Sequence, residues 1–490
     1  MSEVDSLRLA LRDRGYLTHG IERWFALDPW SSRAFWVELL AVALKAATLI
    51  AAFGALPMTA VMLFRNVPLN AWETLGLYLT YAAAWLVVAF ALVVLVALIL
   101  KLRPALPIDT PRALLAVSMA AAALLVAPVG VWWYRFDARA ATAELLTGVA
   151  LAAIFFVMAT IVVSAALLSF SIYELRRIPA IHQKPRGGPM TVAAAVMIAL
   201  LFVPAYAQRE RQALQPMVVT TPTTARVALI AVDGLTYDIY RSRPELFRLL
   251  PLVAPVHPIA AASTAERWAT FGTGVRTELH GVRAIEGVRF RGGRHTIQRM
   301  SRGDFVLLNT PLARREPLPP TVRRRDYVWE IVAARGIPSV AVNWWATADT
   351  REGGLTSIAP ESIFAASQGD PLRVDETASS RFLSSLSGAR FATVYLPALD
   401  IVLNRVQLDQ SARLAGSIRA LDGLQALVER VRAQGFEVVI AGMPGDGQRG
   451  TAVIATSIAL QKPVRAFDVA PSLLELAGFP LSDEMPGRSL

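Results

Sequence analysis

Two kinds of hydrophobic pattern divide this chain. Up to about residue 207 the apolar positions run on almost without interruption, whereas beyond about residue 226 they break into runs of about six separated by polar or glycine-bearing turns. The long stretches lie near 36–64, 74–100, 113–134, 145–172 and 190–207, and each is compatible with the roughly 20 residues a membrane-spanning helix needs. Five spans are therefore expected. Later, the runs VALIAV (227–232), SVAVNW (339–344), ATVYLP (392–397) and EVVIAG (437–442) read as buried strands. Between them DYVWEIVAARG (326–336) and AGSIRALDGLQALVERVRAQG (415–435) carry apolar residues three and four apart and stop at glycine, as helices do.

The alternation of strands and helices predicts an α/β domain with a mostly parallel sheet covered by helices on both faces, preceded by an all-α five-helix transmembrane domain. The expected division is a cytoplasmic segment over 1–35, membrane spans over 36–207, a polar linker over 208–225 and an extracytoplasmic domain over 226–490.

Charge gives this layout a direction. Arg8, Arg12, Arg14, Arg23 and Arg33 precede the first span, Lys101, Arg103 and Arg112 fall between the second and third, and Arg176, Arg177, Lys184 and Arg186 precede the fifth. The alternate loops hold only Arg65, Arg135 and Arg139, which predicts a cytoplasmic N-terminus and an exported C-terminal domain. In a bacterium this is the inner membrane with the domain in the periplasm. The first 35 residues are charged and the first apolar run is too long for a signal peptide's core, so no cleaved leader is expected. The absence of cysteine excludes disulfides, thiolate metal sites and a cysteine nucleophile. A hydrophobic share of 54% and a net charge of +11 point to the lipid bilayer and anionic lipid as partners, and not to nucleic acid. The basic stretches 289–302 and Arg323-Arg324-Arg325 read as solvated faces or loops, or as contacts for anionic lipid or glycan.

Three ordered landmarks suggest a family. VALIAVDGLTYD (227–238) ends an apolar strand in Asp-Gly, STAERWATFGTGVRTELHGV (263–282) follows, and VRAFDVAPSLLELAGFPLSDEMPGRSL (464–490) closes the chain. Together they resemble the alkaline phosphatase superfamily, in its nucleotide pyrophosphatase and phosphodiesterase branch. Five spans before such a domain are also similar in layout to envelope lipid phosphoethanolamine transferases.

The resemblance implies that Asp233 and the Thr264 hydroxyl hold one metal, with Thr264 as nucleophile at a helix start. Thr264 read by itself is equally an N-cap, and Asp233 at the end of a buried strand needs a metal, an arginine or backbone donors. Asp400 matches the next expected aspartate, but the histidine expected four residues later is Asn404. Where the family has Ser-Asp-His-Gly the chain reads AGMPGDG (441–447), leaving Asp446 as a displaced ligand. No histidine follows His295, and His280 belongs to the family's structural His-Gly turn, so a two-zinc site is not expected. The oxygen donors of Asp233, Thr264, Asp400, Asn404 and Asp446 suit no metal or one Mg²⁺, Mn²⁺ or Ca²⁺. Arg267 is placed to clamp a phosphate or sulfate, or to pair with Glu266 or Asp233. Ser263 to Arg267 resembles a sulfatase modification motif without its proline, and Asn343, Trp344 and Trp345 either line a pocket or pack beneath a loop.

Three readings follow. The domain is a pseudoenzyme binding an anionic lipid or phosphoester ligand, or serving as partner to envelope-biosynthesis membrane proteins; it is an active one-metal phosphodiesterase or phosphotransferase; or it is a structural membrane subunit.

Overall fold

The computed structural model describes residues 33–66, 69–102, 111–134, 142–171, 187–201, 225–257, 263–298, 305–368, 370–405, 407–445, 450–457, 464–480 and 485–488, with the isolated positions 10 and 14. Nearly all of the expected segments 1–35 and 208–225, and Asp446, lie outside the described residues. The chain forms two units, one comprising residues 1–209 and 288–314, the other 210–287 and 315–490.

In the first unit, apolar sequence becomes the helices α1 (Arg33–Arg65), α2 (Ala71–Leu102), α3 (Pro111–Tyr134), α4 (Thr142–Ser171) and α5 (Gly187–Leu201). Among the described residues four helices are long and apolar enough to cross a membrane, where five spans were expected. The described part of α5 has only 15 residues, ~22 Å of helix at 1.5 Å per residue, and the rest of its apolar run, 202–207, lies outside the described residues. Helices α1, α2 and α4 pack closely because Gly54 has no side chain: a Cβ there would stand 2.9 Å from both Trp85 and Phe155.

The basic stretch after residue 288 is solvated on one side only: Arg291 and Arg294 are exposed, while other positions turn inward. Val288, Phe290, Ile297 and Leu307 are buried in the same apolar cluster as residues of α1, α2 and α4. The start of α2 supplies the polar anchor. Asn70 and Glu73 form a reciprocal cap, with Glu73 N donating to Asn70 Oδ1 and Asn70 N to Glu73 Oε2, each at 2.9 Å. The fully buried Glu73 carboxylate also accepts from Arg294 N at 2.5 Å and His295 N at 2.7 Å, and lies 2.8 Å from His295 Nδ1. Trp72 Nε1 donates to Arg291 O at 3.0 Å, and Gln298 N to Asn66 Oδ1 at 2.6 Å. The arginines concealed this anchor because they flank, and do not occupy, the inward positions 290 and 297.

The second unit is built on a nine-stranded sheet. Its strands are β1 (Val227–Asp233), β2 (Leu252–His257), β6 (Ser339–Val342), β7 (Thr350–Glu352), β8 (Leu355–Ile358), β9 (Phe391–Leu396), β10 (Glu437–Met443), β11 (Ala452–Thr456) and β12 (Val464–Arg465). A separate small sheet has the order β4–β3–β5, from β3 (Glu286–Phe290), β4 (Ile297–Gln298) and β5 (Ala313–Pro317). The large sheet runs β12–β2–β11–β10–β1–β9–β6–β8–β7. Its centre, β10–β1–β9–β6–β8, is parallel, while β11 lies antiparallel between β10 and β2 and β7 antiparallel on β8. The sheet is therefore mixed, and the expected mostly parallel arrangement holds for its centre.

Both faces are covered. Along β1, Val227, Leu229 and Ala231 enter one core with helices α6 (Thr264–Thr273), α7 (Val328–Ala334) and α10 (Val469–Leu476). Ala228, Ile230 and Val232 enter the other with α8 (Pro371–Ser385) and α9 (Gln410–Ala433). A strand buried on both faces reads as a continuous apolar run, which is why β1, β9 and β10 stand out in the sequence. The arginine triplet is a second exception to the solvated reading: Arg323 is 2% exposed and donates both terminal nitrogens to Glu330. In the terminal segment Asp468 accepts from Arg465 N at 2.7 Å and Arg488 N at 2.8 Å, tying the last turns to the start of α10.

The Glu73 anchor is testable in the full chain. Glu73→Ala leaves the amides of Arg294 and His295 without their acceptor; each buried orphan costs roughly 1–3 kcal/mol. The variant should unfold at lower temperature and be cut faster by protease within 288–314, whereas unchanged cleavage would refute the anchor.

Candidate functional site

The candidate site gathers where the parallel strands end, at the edge where open α/β sheets place ligands. Asp233 is the last residue of β1 and is 1% exposed. Gly234 follows at φ +86°, donates its N–H to Met443 O at 2.8 Å, and would place a Cβ 2.5 Å from Asp400 N. Glycine is thus required twice, by the left-handed backbone and by the close approach that sets the turn against Asp400.

The Asp233 carboxylate is engaged by neutral side chains. Tyr395, on β9, donates its hydroxyl to Oδ2 at 3.0 Å, and Trp268, on α6, directs Nε1 at Oδ1 from 3.4 Å. Both rings belong to a buried aromatic group with Trp344, whose centroid lies 6.1 Å from Trp268 and 6.0 Å from Tyr395. A phenol and an indole are thus among the partners of Asp233, where the sequence named only a metal, an arginine or backbone donors. Trp344 donates to Thr393 Oγ1 at 2.9 Å, Asn343 holds a left-handed turn at φ +66° and donates to Tyr395 O at 2.8 Å, and Trp345 meets the Tyr395 ring edge-on at 5.4 Å. These three residues support Tyr395 from beneath.

Asp400 follows β9 in the short turn Ala398–Asp400 and is 1% exposed. The π-helical turn Ile401–Arg405 then brings Asn404 back, and its Nδ2 donates to Asp400 Oδ1 at 2.8 Å. Gly445, after β10, passes so near that a Cβ would stand 1.5 Å from the same oxygen. Asp400 and Asn404 therefore meet as the spacing predicts, with an amide where an imidazole was expected.

Thr264 is the first residue of α6 and is 4% exposed, but it is not the cap. Ser263 is: its Oγ accepts from Glu266 N at 3.2 Å while Ser263 N donates to Glu266 Oε2 at 3.3 Å, a closed capping box. The N-cap reading of Thr264 is corrected, and its hydroxyl instead accepts from Arg267 Nη2 at 3.2 Å. Glu266 also lies 3.9 Å from Arg283.

No histidine follows His295, and both nitrogens of His280 are used internally: Nδ1 accepts from Val282 N at 3.0 Å, so Nε2 carries the proton toward Thr270 Oγ1, 3.1 Å away. Among the described residues no three His, Cys, Asp or Glu side chains converge as a metal site.

One acidic neighbour escaped the sequence reading. Asp375, on α8, accepts from Ala398 N at 3.1 Å and so holds the start of the Asp400 turn. Burial pushes its carboxyl well above the usual range, and the negative charges of Asp233 and Glu376 add to the shift. Nothing in the sequence marks it, because it lies mid-helix 25 residues before Asp400. Burial acts oppositely on His280, lowering its pKa to about 3 with help from Arg283 and Arg323.

The two shifts give opposite pH dependence. Neutral His280 is favoured by the fold, so its contribution is complete above about pH 6.5 and is lost as pH falls toward about 3. Protonated Asp375 is favoured, so its contribution is complete below the ordinary aspartate range and is lost as pH rises through the elevated pKa. Asp375→Asn keeps an acceptor for Ala398 N without the charge. Its melting temperature, relative to the parent, should rise as pH is raised from about 4 to about 8. A constant difference would refute the assignment.

Residues 227–442 match a family model described as type I phosphodiesterase / nucleotide pyrophosphatase. No curated protein matches the chain. Among solved structures, phosphonoacetate hydrolase from Sinorhizobium meliloti 1021 aligns at 11% identity and TM-score 0.32, over 44% of this chain and 55% of that one. Murine ectonucleotide pyrophosphatase / phosphodiesterase 5 aligns at 14% identity and TM-score 0.31, over 44% and 56%. The chain thus spans about half the length of these two structures. The lipooligosaccharide phosphoethanolamine transferase A of Neisseria meningitidis, an integral membrane protein, aligns at 10% identity and TM-score 0.37, over 91% of this chain and 96% of that one. The family model spans β1 to β10, so within the domain that follows the apolar helices this stretch is similar to the type I phosphodiesterase and nucleotide pyrophosphatase branch of the alkaline phosphatase superfamily.

Proposed function

We propose that this chain is a membrane-anchored member of the superfamily that binds an anionic phosphoester without turning it over and works as a partner subunit in the cell envelope. The observation that carries this reading is the Arg267 guanidinium bonded to the Thr264 hydroxyl at 3.2 Å. A threonine attacks phosphorus only when something takes its proton and stabilises the alkoxide. Arginine supplies positive charge but cannot act as a base at neutral pH. The Asp233 oxygens accept from Tyr395 and Trp268, and His280 is committed to Thr270 and Val282. What the start of α6 offers is recognition: a guanidinium suited to bidentate phosphate contact beside the end of a helix.

The reading is tested with full-length protein in phosphodiester and phosphomonoester assays with Mg²⁺, Mn²⁺, Ca²⁺ and Zn²⁺ in turn, alongside metal analysis. No turnover and no stoichiometric zinc pair are expected. p-Nitrophenyl phosphate should bind, and Arg267→Gln should weaken that binding at least ~10-fold, in line with the loss of a charge-assisted bond. Metal-dependent turnover abolished by Thr264→Ala and kept by Thr264→Ser would overturn the proposal in favour of a one-metal enzyme. Absence of both turnover and binding would leave a structural subunit.

We further propose five crossings, with the N-terminus in the cytoplasm of a bacterium and the C-terminal domain outside. Arginine bias between alternate loops supports this sidedness. So does the chain path: residues 288–314 leave and re-enter the C-terminal domain with no spanning run, yet bond to Asn66 and Glu73 where α1 gives way to α2. If α1 to α4 each cross, the chain leaves α4 on the side opposite that connection, so α5 must cross as well. A phosphatase reporter that works only when exported should be active when fused at the C-terminus; activity of a strictly cytoplasmic reporter there would reverse the assignment.

A further inference from the structure

Helices α8 and α9 cover one face of the sheet but do not close against each other along their whole length. Between them lies a cavity of about 590 Å³, within the size range of small-molecule sites. Much of its wall is aliphatic, from Leu372, Leu383, Leu396, Leu424 and Leu427. Gly423 of α9 also lines it, and a Cβ there would meet nothing within 4 Å. Gly423 stands at the exposed mouth of the cavity, so a larger side chain there has room to project across it.

The charged groups around the cavity differ in how far they are matched. Glu376 of α8 lies 3.7 Å from Arg419 of α9, and Asp422 of α9 lies 3.5 Å from Arg243, both with exposed side chains. Arg430 of α9 also lines the cavity. Asp375 is different: its carboxyl is held by one backbone donor, Ala398 N at 3.1 Å, and faces the negative charges of Asp233 and Glu376. A carboxyl so placed lacks a donor with positive charge, and the apolar wall supplies the surroundings in which such a pair is strong.

We propose that this cavity binds a small water-soluble organic amine, its ammonium group against the Asp375 carboxyl, which gives up its proton to solvent as the ion pair forms, and its apolar body between the leucines of α8 and α9. The site is separate from the anion reading at Thr264 and Arg267, so either stands if the other fails. An amphiphilic cation matches the cavity better than an anion, because Arg419 already has a carboxylate partner and Arg430 is exposed, whereas the Asp375 carboxyl is buried beside the leucines. Binding also reaches the Asp400 turn, since Asp375 is the residue that holds Ala398 N.

The experiment is calorimetric titration of the full-length protein, in one neutral detergent throughout, with 2-phenylethylamine and with 2-phenylethanol, a neutral analogue of nearly equal shape. The amine should bind saturably and at least ~10-fold more tightly than the alcohol, as expected for a charge-assisted bond. Asp375→Asn, which keeps the acceptor for Ala398 N, should remove that preference. Gly423→Leu fills the open space at a helical position where leucine is the better former; it should abolish binding of both compounds while leaving the melting temperature unchanged or raised. Equal affinity for amine and alcohol, amine binding unchanged in Asp375→Asn, or no saturable binding at all would each overturn the proposal.

Discussion

Asp233 ends the central strand with a carboxylate that is 1% exposed, and much of the second unit is arranged around that constraint. A buried charge without donors would cost far more than a domain's typical margin of stability. The fold brings donors from two directions, a phenol from the neighbouring strand β9 and an indole from the first turns of α6. Each donor is a large ring, so satisfying the charge also fills volume. Trp268, Tyr395 and Trp344 stack edge to face above the sheet, and Trp344 continues the contact to Trp329 at 4.5 Å and thence to Tyr327. One polar requirement at a strand end thereby organises an entire side of the core.

The parts of this arrangement that the sequence discloses are those set by local rules. β1, β9 and β10 are doubly buried and read as apolar runs, and the Asp-Gly at the end of β1 announces a turn that only glycine fits. α9 shows its period and its terminal glycine. Other elements are set by tertiary pairing and leave weak local traces. β2 carries Pro255 in its middle, paired opposite Val453 of β11, and β11 is a short run whose place between β10 and β2 reverses its direction. Asp233, Thr264 and Asp400 were legible by their places in a motif, but Tyr395, Trp268 and Asp375 were not. Tyr395 and Trp268 look like ordinary core aromatics and Asp375 like one acid on an amphipathic helix; only the fold aims them at the strand ends.

Charge misled the sequence reading in the same physical sense twice. Arginine-rich segments normally mark solvated faces, yet Arg323 is buried against Glu330 and the stretch after residue 288 places Phe290 and Ile297 in the apolar cluster of the first unit. In both places a glutamate supplies the missing complement. Glu330 also accepts from Tyr327 N at 2.8 Å, and Glu73 also caps α2, so each carboxylate is oriented by backbone before it meets its partner. A pair with one member already fixed loses less freedom on forming, which favours burial of the basic segment that follows.

The absence of histidines at the second half of the motif did not dissolve the motif's geometry, and the reason is visible in how Asp400 is held. Its turn is positioned by Asp375 on Ala398 N, by Gly234 against its backbone and by Gly445 against its carboxylate. None of these contacts requires a metal. Asn404 occupies the position four residues on and presents an N–H to the carboxylate, as an imidazole also could, so the turn keeps a donor at that position. The same logic applies to Thr264. With Ser263 and Glu266 closing the helix start between them, Thr264 is not the cap, and its hydroxyl accepts from Arg267 without loss of the capping box. Strand ends and helix starts secured by their own hydrogen bonds thus fix where Asp233, Thr264 and Asp400 stand, whatever chemistry those side chains carry.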